Sequence, residues 1–166
     1  MTPQQARAIG DFLTAEIEGE MKTTLRVIEH VPDGKLDYTP DSKSATALGL
    51  IRHLVVVDAW FLNCVANGAV APDANDKALA DGIMTPADGA ARYRELVGAA
   101  FGRVCALSDE QLATELDFFG MMKLPAAGLL GMMLKHSIHH RGQLSAYLRA
   151  MGGKVPGIYG PSGDSQ

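Results

Sequence analysis

Four stretches of the chain carry apolar residues at intervals of three and four, the spacing that lays one stripe of a helix against a core. The first begins at Thr2-Pro3-Gln4-Gln5, where an N-cap threonine, a proline at the first helical position and a capping-box glutamine coincide. It runs to about His30, and Pro32-Asp33-Gly34 ends it. After the polar link KLDYTPDS, Ser44 is placed to cap a second helix that continues through HLVVVDAWFLNCVAN and stops near Gly68. The segment APDANDKALADGIM reads as a loop. Thr85-Pro86-Ala87-Asp88 repeats the first helix's start chemistry, and a third helix follows to about Leu107 before Ser108-Asp109-Glu110-Gln111 opens a short extra one. From Pro125 the positions Leu129, Met133, Ile138, Leu144 and Leu148 keep helical spacing until Gly152-Gly153, which suits a helix C-terminus. The tail KVPGIYGPSGDSQ reads as irregular. No run alternates cleanly with period two, although VVV at 55–57 and the DFFGMM segment have some β character. Four long helices with long connections predict an all-α four-helix bundle, one domain over residues 1–166.

Composition narrows the class. At 166 residues and 47% hydrophobic content the chain can build a continuous core. The apolar runs at 54–57 and 124–134 fall well short of the roughly 20 residues that span a bilayer, so no membrane association is expected. The N-terminus MTPQQARAIGDF lacks the apolar segment and small-residue cleavage site of a secretory signal, which leads us to expect a cytoplasmic protein. Two cysteines, Cys64 and Cys105, suggest buried free thiols rather than a disulfide framework. A formal charge of -4 with scattered lysines and arginines leaves no footprint for a phosphate backbone, so nucleic acid is not expected as a partner.

The candidate chemistry lies in LKHSIHHRGQLSAYLRAMGG, where three of the five histidines fall within five residues. Stepping by three and four from Leu129 gives Met133, His136, His140, Gln143 and Tyr147, a seam that should face the bundle interior. An i, i+4 histidine pair projects in nearly one direction, so two imidazoles can reach one metal ion. His139 shares its row with Lys135, Gly142 and Ala146 and reads as supporting or surface. A third ligand must come from another helix. On helix two, Leu50, His53, Val57, Trp60 and Cys64 form a strongly apolar stripe on which an unpaired buried imidazole would be costly. Three histidines from two helices would hold Zn²⁺, Ni²⁺ or Fe²⁺ with open positions for water, substrate or a thiolate. The same spacing also fits histidines that are simply core residues satisfied by backbone carbonyls. Gln143, Tyr147 and Arg141 are candidates to support the ligands from behind, with surface pairing the alternative for Arg141. Asp58 lies well round the helix from His53 and reads as solvated or paired with an arginine. His30 suits the negative end of the first helix, and Met121, Met122, Met132 and Met133 read as core filler.

The run HSIHHRGQLSAYLRAMGGKVPGIYGPS resembles the last-helix pattern of the DinB family, close to HxxHHRGQLxxYLRxxG followed by VPxxYGPS. PDGKLDYTPDSKSATALGLIRHLVVVDAWF is similar to the family's segment leading into and along helix two. This likeness to DinB/YfiT-like proteins implies an up-down-down-up four-helix bundle, often a homodimer. It also implies one divalent ion per chain on one histidine of helix two and two of the last long helix, here His53, His136 and His140. Relatives in the superfamily include metal-dependent, thiol-using S-transferases and isomerases, and others described as hydrolases. The implied function is therefore a metal-dependent hydrolase or a transferase that uses a low-molecular-weight thiol. The alternative is a non-catalytic, stress-related bundle that acts by protein association or by holding a small ligand, because function transfers less well than fold. The small-molecule substrate itself is not legible in the sequence.

Overall fold

A computed structural model describes residues 1–165. Side-chain caps set where four of its helices begin. α1 (Pro3–Glu29) opens with the capping box at Thr2 and Gln5. α2 (Ala47–Asn67) starts later than Ser44 suggests, because the Ser44 hydroxyl donates to the Asp41 carboxylate at 2.8 Å. Thr46 is the cap instead, its hydroxyl accepting from the Gly49 N–H at 3.0 Å. The next connection is more than a loop, since it contains the short helix α3 (Asp76–Asp81). The capping box of Thr85 and Asp88 opens α4 (Pro86–Arg92), which continues through a π turn (Tyr93–Val97) into α5 (Gly98–Cys105) as one rod. Ser108 caps α6 (Asp109–Ala113), and α7 (Ala126–Ala150) closes the bundle.

The β character of DFFGMM is real. β1 (Glu115–Phe118) and β2 (Met122–Pro125) form an antiparallel hairpin with Leu116 opposite Leu124. Its turn is made by Phe119 and Gly120, both at positive φ (55° and 72°), with the Gly120 N–H donating to the Asp117 carboxylate at 2.6 Å. Four-residue strands are too short to show alternation in a sequence. The hairpin tip also carries Met121 and Met122 out of the core, 70% and 49% exposed, while Met133 is buried as core filler should be. Cys64 is buried, but Cys105, at the end of α5, is exposed.

Helix directions follow from cross-contacts. Along α1 and α7, Leu13 lies against Gly131, Thr24 against Ser137, and the His30 carbonyl against Gly153, so these helices run parallel. Tyr147 reaches Ala45 while His136 reaches Asp58, so α2 runs antiparallel to α7. Asp58 with Tyr93 and Asn63 with Arg103 place the α4–α5 rod parallel to α2. The order is up-down-down-up, and the long 68–85 connection is what two consecutive parallel helices require. A single hydrophobic cluster runs through all four, with Ile17, Ile28, Leu54, Leu62, Val97, Leu129 and Leu144 inside it. α2 is 21 residues long with a mean hydropathy of 1.5, enough by length and composition to cross a bilayer, which the short apolar runs did not suggest. Its apolarity has a simpler cause: it packs against α7 on one side and the rod on the other, and 61% of that apolar window is buried.

Candidate metal centre

α2 and α7 cross where each carries its inward histidines. His53 projects from the middle of α2, and His136 and His140 project one turn apart from α7. The His53 Nε2 lies 2.8 Å from the His136 Nε2 and 3.1 Å from the His140 Nε2. One ligand atom from each of the three lies within 4.8 Å of the others. Nitrogens bound to a zinc-sized ion at about 2.0–2.1 Å are held about 3.0–3.4 Å apart, so a small outward shift accommodates a divalent cation.

The outer ring nitrogens decide what the inner ones can do. His136 Nδ1 donates to the Asp58 carboxylate at 3.1 Å, and His140 Nδ1 donates to the Gln143 side-chain oxygen at 2.8 Å. With those hydrogens committed outward, the Nε2 atoms of His136 and His140 present bare lone pairs to the shared space. His53 can supply at most one hydrogen there. Three mutually facing acceptors with at most one hydrogen among them form a donor set that a cation satisfies and that packing alone leaves strained. Burial, reinforced by the neighbouring His140 and His136, pulls the His53 pKa down to about 4. Burial also lowers His140, partly offset by its bond to Gln143. Both rings are neutral near pH 7, the state in which imidazole binds metals.

Walls and access differ on the two sides. Phe61 lies 5.5 Å from the His136 ring and stacks in turn on Phe118 of the hairpin, 6.4 Å away, closing one flank with aromatic surface. On the other flank a cleft of about 480 Å³ runs from His53 and His140 to solvent between Gly49, Leu50, Gln143, Tyr147 and the loop Lys43–Ala45. Tyr147 is braced there by Tyr38 at 5.3 Å and donates to the Ala45 carbonyl at 3.3 Å. A separate cavity of about 220 Å³ between α2, α3 and α5 contains no histidine.

The remaining candidates are dispersed. His139 is exposed, its ring edge-on to His140 at 4.8 Å. His30 caps the end of α1, its ring bonding the Arg26 carbonyl at 2.7 Å. Arg141 is neither a ligand support nor a surface residue: it is 2% exposed, turned toward α1, where it pairs with Glu20 and donates to the Tyr159 hydroxyl at 2.7 Å. One position in α7 after His140 is enough to rotate a side chain about 100° away from the histidines. Asp58 is not solvated; it is fully buried, with His136 on one oxygen and the Tyr93 hydroxyl on the other at 3.1 Å. Burial and the Asp58 carboxylate raise the Tyr93 phenol well above its ordinary value, so it remains a donor. That Asp58 is the one acid in the 21-residue, largely apolar α2 was the signal for it; nothing in the sequence points to Tyr93.

Comparison with known proteins follows the same lines. The sequence profile of the DinB family matches residues 7–165. The uncharacterized protein YjoA of Bacillus subtilis is 29% identical over 132 residues, 78% of this chain and 82% of YjoA. The crystal structure of YjoA, a DinB-like protein, superposes with a TM-score of 0.68 at 23% identity, over 90% of this chain and 97% of its own. A DinB-like protein from Bacillus cereus gives a TM-score of 0.74 at 23% identity, over 89% and 95%. YfiT of Bacillus subtilis, described as a probable metal-dependent hydrolase with an unusual four-helix bundle topology, gives 0.67 at 19% identity, over 87% and 89%.

Proposed function

The chain belongs to the DinB family, and on that footing we propose that it binds one divalent metal ion through His53, His136 and His140 and uses it as a metal-dependent enzyme for hydrolysis or thiol transfer. The observation that carries this reading is the convergence of the Nε2 atoms with their outer nitrogens already engaged by Asp58 and Gln143. An ion held there supplies Lewis acidity, which activates water or a thiol toward an electrophile. The chain's own part is to fix three imidazoles facing one another, leave one side of the site open and admit a small molecule through the 480 Å³ cleft. Lys43 and Ser44 line the cleft mouth, in a loop held by the Asp41 carboxylate.

YfiT's description as a probable metal-dependent hydrolase supports the hydrolytic form. For thiol transfer the thiol comes from solution, because Cys64 sits against the loop at Ala71 and Cys105 lies at the far end of the rod. The test is elemental analysis of protein prepared without a histidine tag, beside His53→Ala and His140→Ala. The expected outcome is one divalent ion per chain in the wild type and none in either variant, with circular dichroism unchanged. A wild type that takes up no metal on reconstitution overturns the reading.

A further inference from the structure

We infer that Asp58 and Tyr93 are positioning residues of the metal centre: Asp58 holds His136 with its Nε2 turned inward, and the Tyr93 hydroxyl holds Asp58. The inference rests on the three-histidine reading above. Asp58 and Tyr93 are both 0% exposed, in the middle of the bundle. The two carboxylate oxygens are divided between them, Oδ1 taking the His136 Nδ1–H and Oδ2 the Tyr93 O–H, each at 3.1 Å. No lysine or arginine pairs with Asp58 among the described residues; its ion-pair partner there is His136. A buried carboxylate without a cation opposes folding, and an apolar side chain of similar size would pack there at no such cost. What the carboxylate does provide is an acceptor that keeps the hydrogen of His136 on Nδ1 and stops the ring from turning.

Tyr93 enters from a different helix, at the first residue of the π turn. That turn is the departure from α geometry within the α4–α5 rod, and π turns concentrate at functional sites. Ser137 and Thr24 are near enough to partly offset the raised Tyr93 pKa, and their own hydroxyls are 3.5 Å apart. Each of the four long elements therefore places a polar group in this chain: Thr24 from α1, Asp58 from α2, Tyr93 from the rod, and Ser137 with His136 from α7. The chain of contacts ends on a ligand nitrogen, so the orientation of His136 is set by the packing of the whole bundle rather than by α7 alone.

The test has two readouts. In the metal-free wild type, ring ¹⁵N shifts should show His136 in the Nδ1–H tautomer. Asp58→Leu, which leaves Nδ1 without an acceptor, should shift that tautomer and lower zinc affinity, measured against a chromophoric chelator, by roughly 10- to 100-fold. Asp58→Asn keeps an acceptor oxygen and should restore the tautomer with part of the affinity. Tyr93→Phe should lower affinity by about tenfold or less while the fold is kept. Wild-type zinc affinity in both Asp58→Leu and Tyr93→Phe, or a His136 tautomer that neither changes, overturns the inference. If Asp58→Leu does not fold, Tyr93→Phe decides it. A wild type that binds no zinc defeats the proposed function instead, and the tautomer in metal-free protein still tests this one.

Discussion

His53 shows how far a single side chain can depend on its surroundings. Its pKa stands at about 4 against an ordinary 6.5, through burial and the two facing imidazoles. The unfolded chain therefore takes up a proton near pH 6.5 that the folded, metal-free chain refuses until about pH 4, so the unfolded state binds more protons in that window. Stability contributed by this group is complete above pH 6.5 and is lost as pH falls toward 4. The melting temperature of chelator-treated protein should decline across that window, and His53→Leu should flatten the slope there; an unchanged slope would assign the titration to another group. Gln143 makes a second case at this scale. Its side-chain oxygen accepts from the His140 Nδ1 at 2.8 Å, so Gln143→Leu should weaken metal binding by roughly tenfold or more while leaving the fold intact. Equilibrium dialysis reads that directly, and unaltered affinity would show that His140 needs no partner.

Among the elements, local chemistry predicted starts better than it predicted short insertions. Thr2, Thr85 and Ser108 act as caps because the capping box is closed within four residues and needs nothing from the rest of the chain. Ser44 fails as a cap because Asp41 competes for its hydroxyl. α3 and the hairpin escape notice because neither is long enough to show a period. The close pairing of α4 with α2 depends on Gly89, where an added Cβ would sit 2.3 Å from the Ile51 Cγ2. Ile51 is fully buried and cannot give way cheaply. Gly89→Ala should therefore cost about 1–3 kcal/mol in urea unfolding, through overpacking at that contact. No loss of stability would mean that the rod can slide along α2.

For the whole molecule, the centre joins helices that run in opposite directions and are separated in sequence by 83 to 87 residues. An ion bound to the folded state alone should stabilise it by about 2.7 kcal/mol at a free concentration 100 times the dissociation constant. For a domain of this size that is a rise of roughly 5–10 °C in melting temperature, absent in His140→Ala. Equal melting temperatures with zinc and with chelator would argue that the cluster holds no ion. The sequence by itself determined the four long helices, the caps of the first and third, and the inward direction of His53, His136 and His140, because periodicity and capping are properties of neighbouring residues. It misjudged Asp58, read as solvated or paired with an arginine, and Arg141, and was silent on Tyr93. Whether a side chain one or five positions from a ligand faces solvent, a neighbouring helix or the site depends on how many other helices surround its own. α2 has partners on two sides, so a residue well round from His53 is buried too, and only the packing of α7 and the α4–α5 rod against it decided that Asp58 would meet His136 and Tyr93.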